Sequence, residues 1–171
     1  KAGKRIVATN GCFDILHLGH ITYLEAAKAQ GDLLVVGINS DQSVRAIKGE
    51  GRPVNSELDR AYVVAALESV DAVHIFYEND ALKFLSIARP DVYVKGGDYN
   101  IDTINQPERH YVEQYGGKVM VMSATMPQFL REHFLKLLAL PEAIVAKERM
   151  SIKRNRWIYI DNTVEEIRER V

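Results

Sequence analysis

Apolar residues along the chain fall into short, nearly continuous runs separated by stretches of helical period. The runs "RIVATN" (5–10), "DLLVVGIN" (32–39), "DAVHIFYE" (71–78), "DVYVKGG" (91–97) and "KVMVMS" (118–123) each have strand length and β-branched content. Between them, "HITYLEAAKAQG" sets Ile21, Leu24 and Ala27 at helical spacing and stops at Gly31. "SELDRAYVVAALESV" opens on Ser56, whose hydroxyl suits an N-cap. "NDALKFLSIARP" ends against Pro90, and "PERHYVEQYGG" starts on Pro107 and ends at Gly116. Five strands thus alternate with four helices. Strands that are apolar throughout need both faces covered, and parallel neighbours need crossover helices. The pattern predicts an α/β fold with a doubly wound, five-stranded parallel sheet and a ligand site beyond the carboxyl ends of its strands.

Past Met126 the composition shifts. That part of the chain reads as a helix to about Leu140, a second helical piece, a short strand at "RWIYI" and a final helix after Asn162. The expected division is one domain over 1–127 and a mainly helical C-terminal extension over 128–171, of no assigned role. Within the extension, "FLREHFLKLLAL" reads as a core or dimer helix and "KERMSIKRNR" as a solvated basic stretch.

Composition narrows the partners. With 171 residues, 47% of them hydrophobic, the chain can bury a sizeable core. Lys and Arg number 22 against 23 Asp and Glu, a formal charge of -1, so no overall field favours nucleic acid or an anionic membrane. An anion must therefore be gripped locally. A single cysteine excludes an intrachain disulfide, and no apolar run approaches the ~20 residues of a transmembrane helix. No secretory leader opens the sequence, and the expectation is a cytoplasmic protein. The chain opens on Lys1 rather than Met, and an upstream domain stays an open possibility.

The densest chemistry is "TNGCFDILHLGH", residues 9–20, at the first strand-to-helix turn. It allows a Cys12–His nucleophile pair, a metal site, a phosphate cradle, or histidines that merely pack. Neither G-x-x-x-x-G-K-[ST] nor G-x-G-x-x-G is present, so a phosphate site would need another geometry. His17 and His20, three apart at a helix start, share a face, and Gly19 between them lets a bulky anion approach the backbone. Helix N-terminal amides add partial positive charge there. The spacing C-x4-H-x2-H is not a usual zinc framework, no thiol-enzyme signature surrounds Cys12, and no metal ligands are assigned. An anion site with two imidazoles is the reading that fits best.

"NGCFDILHLGH" resembles the first motif of the nucleotidyltransferase (cytidylyltransferase-like) superfamily. More narrowly, "NGCFDILHLGHITYL", "GDLLVVGINSDQSVRAIKGEGRPVN", "LDR", "ALESVDAV" and "PDVYVKGGDY" together resemble the adenylyltransferase domain that makes ADP-activated heptose from D-glycero-β-D-manno-heptose 1-phosphate. The likeness runs from about Lys4 to Ser123. It implies a Rossmann-like nucleotidyltransferase fold and direct transfer of AMP from ATP to a sugar 1-phosphate, with release of pyrophosphate and no covalent enzyme intermediate. The runner-up is a cytidylyltransferase acting on glycerol 3-phosphate or another alcohol phosphate. A nucleotide-binding module without turnover and a Cys12 thiol enzyme stand further off.

The resemblance also assigns residues. His17, His20 and Lys48 are the expected catalytic groups, with Lys48 in a mobile-looking "KGEGRP" segment. Asn10, Gly11, Cys12, Phe13, Asp14, Gly19, Lys95, Gly97, Asp98, Ser123 and Thr125 are expected around the nucleotide. Gly96 and Gly97 are read as admitting close backbone approach, and Asp14 and Asp41 could instead cap helices. Arg52, Arg60 and Asp41 are expected near the substrate phosphate. Mg²⁺ would arrive with ATP, and a homodimer is the family habit. The departure is "SATMPQ", where the family carries a Ser/Thr-rich turn: Ala124 takes the middle position and Pro127 removes an amide donor.

Overall fold

The computed structural model describes residues 3–97 and 100–122 in full and the backbone of a strand at 157–160. The elements run β1 (Ile6–Gly11), α1 (Leu18–Lys28), β2 (Leu33–Asn39), α2 (Asp41–Lys48), α3 (Glu57–Ala65), β3 (Ala72–Phe76), α4 (Leu82–Ala88), β4 (Val92–Gly96), α5 (Gln106–Glu113), β5 (Lys118–Met122) and β6 (Trp157–Ile160). All strand pairs are parallel, in the order β5-β4-β1-β2-β3-β6. The five expected strands are present. The strand expected at "RWIYI" pairs with β3 from Ala72↔Trp157 to Ile75↔Ile160, so the extension adds a sixth strand to the same sheet.

Alternation along the strands builds two cores. Val7, Leu34, Val36, Ile38, Val73, Ile75, Val92 and Val94 face α1 and α3, where Tyr23, Leu24, Ala27, Ala61 and Val64 complete the layer. Ala8, Val35, Ala72, Phe76 and Tyr93 face α4 and α5, against Phe84, Leu85 and Val112. The aspartates that open three of the apolar runs tie the amino ends of neighbouring strands. Asp32 accepts from the Arg5 amide, Asp71 from Leu34 and Asp91 from Ile6.

Helix boundaries follow the local chemistry. The Ser56 hydroxyl caps α3 by accepting from the Asp59 amide, and Asn105 caps α5, with Pro107 in its first turn. The helix α2 was not expected. Ser40 caps it, accepting from the Ser43 amide, so Asp41 is its first residue rather than a cap, and Lys48 is its last residue rather than part of a loop. No helix among the described residues is long and apolar enough to cross a membrane. Asp98, Ser123, Thr125, the "SATMPQ" turn, the "FLREHFLKLLAL" dimer helix and the helices expected after Met126 lie outside the described residues.

Candidate active site

The site forms where β1 and β4 part. β1 pairs with β2 through Gly11↔Ile38, but with β4 only at Val7↔Val92 and Ala8↔Tyr93. Beyond that point the Tyr23 hydroxyl of α1 stands between the two strands, 2.6 Å from Thr9 Oγ1 and donating to the Val94 carbonyl at 3.0 Å. The strand order reverses its direction of growth at this junction, where doubly wound sheets open a crevice at the carboxyl ends. A cavity of 660 Å³ lies there, within the range of small-molecule sites. It is lined on one side by His17, His20, Lys48 and Arg52 and on the other by Asn10, Lys95 and Glu108.

The turn from β1 to α1 is held in shape. Phe13 adopts a left-handed φ of 46° although it is not glycine, and a Cβ at Gly11 would come within 3.0 Å of the Phe13 ring. Asp14 anchors the turn to residues 52–55: its carboxylate accepts from Arg52 Nη1 at 2.7 Å and from the amides of Val54 and Asn55 at 2.8 and 3.0 Å. Burial works against that carboxylate. The Asn55 amide, the Arg52 guanidinium and the Val54 amide outweigh it and hold the carboxyl below its ordinary range.

His17 occupies the N-cap of α1, with its carbonyl accepting from the His20 amide at 2.9 Å. The two imidazoles stack with ring centroids 3.8 Å apart, and Phe13 packs tilted on His20 at 5.4 Å. Burial, then the charges of His17 and Lys48, pushes the His20 pKa down to about 4; burial also lowers His17. Both rings are therefore neutral near pH 7, each able to donate one N–H. His20 Nδ1 is buried without a hydrogen-bond partner among the described residues. Gly19 is buried and lines the cavity, as does Gly97 with its φ of 121°. Cys12 lines it too, but burial pushes its thiol up despite the opposing charges of Lys48 and Arg60, which disfavours a thiolate nucleophile.

Three expectations change in role. Arg60 does not reach the cavity: its buried guanidinium donates to the carbonyls of Cys12, Asn39 and Asn55 and to Asp41 Oδ1. Asp41 is its ion-pair partner at 2.8 Å, and neither lines the cavity, because a fork of donors matched to carbonyls at the ends of β1 and β2 is a brace. Gly96 makes room for the protein's own packing, since a Cβ there would lie 2.6 Å from the Tyr23 ring. Lys95 does line the cavity, with its ammonium directed to Asn10 Oδ1 (3.0 Å), Tyr93 Oη (3.0 Å) and Glu108 Oε2 (3.2 Å).

Tyr23, Tyr93 and Glu108 were not anticipated. The alternation of "VYVKG" places Tyr93 on the same face as Lys95 and was the available signal. Glu108 reads in sequence as an ordinary first-turn acid of α5. Among the described residues no three His, Cys, Asp or Glu side chains converge as a metal site would require.

The architecture and site define an α/β protein with a cleft lined by paired imidazoles at the switch point of its sheet. The chain belongs to the cytidylyltransferase-like family, whose model matches residues 8–166, and it is a nucleotidyltransferase. It is 60% identical over 99 residues, 58% of its length, to the "Bifunctional protein HldE" of a Nitratiruptor species, covering 21% of that protein. To the "Bifunctional protein HldE" of Geobacter sulfurreducens it is 50% identical over 121 residues, 71% of the chain and 24% of that relative. The matched segment thus spans less than a quarter of these relatives' length. The crystal structure of the lipopolysaccharide core biosynthesis protein from Thermoplasma volcanium superposes with a TM-score of 0.59 at 30% identity, over 73% of this chain and 99% of that one. A pantoate-beta-alanine ligase from Francisella tularensis, 17% identical with a TM-score of 0.54 over 72% of this chain and 60% of that one, shares the fold.

Proposed function

We propose that the chain transfers AMP from ATP to a heptose 1-phosphate-like sugar 1-phosphate, releasing pyrophosphate and giving an ADP-sugar for lipopolysaccharide assembly. The observation that carries this reading is the stacked, neutral His17–His20 pair at the start of α1, opening on the crevice between β1 and β4. An oxygen of the sugar phosphate attacks the α-phosphorus in line, the bond to the β-phosphate bridging oxygen breaks, and pyrophosphate leaves. Charge on the phosphate oxygens grows as this happens, and positioned imidazole N–H donors stabilise it most at the transition state. Lys48, exposed at the end of α2, and Arg52, steadied by Asp14, supply cations at the same side of the cavity.

The names of the HldE relatives and of the Thermoplasma volcanium protein support the sugar side of the reading. Of the acidic residues at the cavity, Asp14 is engaged by Arg52 and two amides, Glu108 by the Ala81 amide, Tyr93 and Lys95, and Asp80 accepts from the Leu82 amide. A Mg²⁺ ion would be held chiefly by the triphosphate's own oxygens, supplying charge neutralisation, since the described residues form no cage for it. A cytoplasmic homodimer completes the proposal.

The test is pyrophosphate release with Mg²⁺ across four nucleoside triphosphates and a set of phosphorylated sugars and polyols. ATP with a heptose 1-phosphate should give the highest kcat/KM. Preference for CTP with glycerol 3-phosphate would select the cytidylyltransferase instead, and ATP binding without release in any pairing would mean a binding module.

A further inference from the structure

The wall of the cavity opposite the imidazoles carries an unusual group for an anion site: the carboxylate of Glu108, only 3% exposed. It is fully engaged. Oε1 accepts from the Ala81 amide at 2.9 Å, and Oε2 accepts from the Tyr93 hydroxyl at 2.7 Å and from Lys95 at 3.2 Å. Lys95 in turn spreads its donors over Glu108, Tyr93 and Asn10, so β1, β4 and α5 meet in one network.

That network settles which way the Asn10 amide faces. An amide's oxygen and nitrogen are near-isosteric, so only the neighbours decide its orientation. The Tyr93 hydroxyl lies 2.6 Å away but has a single proton, for which Asn10 and Glu108 Oε2 are alternative acceptors, so it does not decide. The Lys95 ammonium cannot: it has donors only, so the Asn10 atom 3.0 Å from it must be the oxygen. The nitrogen Nδ2 makes no hydrogen bond among the described residues, and Asn10 lines the cavity at the end of β1, two residues ahead of Cys12. Glu108 keeps the arrangement in place by pairing with Lys95, and without that partner a nearly buried ammonium would be costly.

We propose that Glu108 is a positioning residue which, through Lys95, locks the Asn10 amide so that its NH₂ donates into the cavity, to an anionic oxygen of the bound nucleotide. The wall then adds a neutral donor to the anion site although it contains a carboxylate. This inference rests on the nucleotidyl-transfer reading above.

Asn10→Asp is the direct test. An Asp there keeps the shape and still accepts from Lys95, but it turns a carboxylate oxygen toward the nucleotide, and kcat/KM for ATP should fall about 100-fold. Asn10→Leu removes the donor at similar volume and should cost about 10-fold, as should Glu108→Gln, which puts a donor against Lys95. The signature of a positioning role is non-additivity: in the Asn10→Leu background, Glu108→Gln should cost no more than about twofold further. Full additivity, or an Asn10→Asp protein as active as the parent, would overturn the inference. Binding of a non-hydrolysable ATP analogue to the same variants, measured by calorimetry, reads the donor independently of turnover. A parent protein without pyrophosphate release would thus sink the functional reading and leave the Asn10→Asp binding contrast to decide this one.

Discussion

The two walls of the cavity are built on opposite principles. On the Asn10–Lys95–Glu108 wall the polar groups other than the Asn10 NH₂ are spent on one another: the ammonium, the carboxylate and the Tyr93 hydroxyl each have protein partners within 3.2 Å. On the other wall two imidazoles stack on each other, one ring nitrogen of His20 is buried without a partner among the described residues, and Lys48 extends from the end of α2. A satisfied network is rigid and a poor ligand, because a ligand must break existing bonds to use it. The imidazole wall, where His20 Nδ1 has no partner among the described residues, has more to gain when an anion arrives. Catalysis should concentrate there, with the satisfied wall acting as its scaffold.

The sharpest way to break this contrast is to remove an imidazole. His20→Asn or His17→Asn should lower kcat for pyrophosphate release by about 10³-fold while ATP affinity changes by no more than about tenfold, since the lost donors act on charge that develops at the transition state. A large rise in KM with kcat intact would instead make the imidazoles ground-state binders. Next in size is Arg60→Met, which should cost about 3 kcal/mol in urea denaturation by stranding the Asp41 carboxylate and the carbonyls of Cys12 and Asn39. Arg60→Lys should recover little, because an ammonium cannot reproduce the fork. If Arg60→Met kept full stability but raised KM for the sugar phosphate, the brace would be a substrate contact after all.

How far the sequence carried the reading depends on the reach of each signal. The strands, the doubly wound order and the imidazole pair rest on short-range patterns: apolar runs of strand length, helical spacing, and two histidines three residues apart. Residues whose roles depend on distant contacts could not be read in the same way. Arg60 meets the Cys12 carbonyl across 48 positions and Lys95 meets Asn10 across 85, so an Arg or Lys near a phosphate site reads as a phosphate ligand until its partners are known. Gly96 is similar, because its missing side chain makes room for Tyr23 of a distant helix. The helix α2 was overlooked because "DQSVRAIK" is polar and only eight residues long, and its clearest mark is the Ser40 cap.

A smaller effect follows from the depressed imidazole pKa. His20 titrates near 4 when folded and near 6.5 when unfolded, so between those values the unfolded chain binds the extra proton. Stability should therefore fall as pH drops from about 6.5 to about 4 and level off below, by on the order of 3 kcal/mol for this one ring. The urea midpoint of His20→Asn should lose that part of the slope. An unchanged slope would mean that His20 is not held neutral by its surroundings.

The smallest effect is expected at Cys12, and it tests whether the imidazole wall hides a thiol enzyme. Cys12 shares the cavity with both histidines, the arrangement a Cys–His nucleophile would need. Its thiol, however, is pushed up by burial more than Lys48 and Arg60 can offset, so near pH 7 it stays protonated and a weak nucleophile. Its carbonyl is what the fold uses, as the acceptor for Arg60, and that group survives any side-chain change. Cys12→Ser should accordingly change kcat/KM by less than about threefold, whereas removing a covalent nucleophile would cost orders of magnitude. Steady-state pyrophosphate release by Cys12→Ser, compared with the His20→Asn protein on the same substrates, separates the two chemistries: loss in both would put a thiol at the centre of the site, and loss in the histidine variant alone would leave the phosphates to the imidazoles.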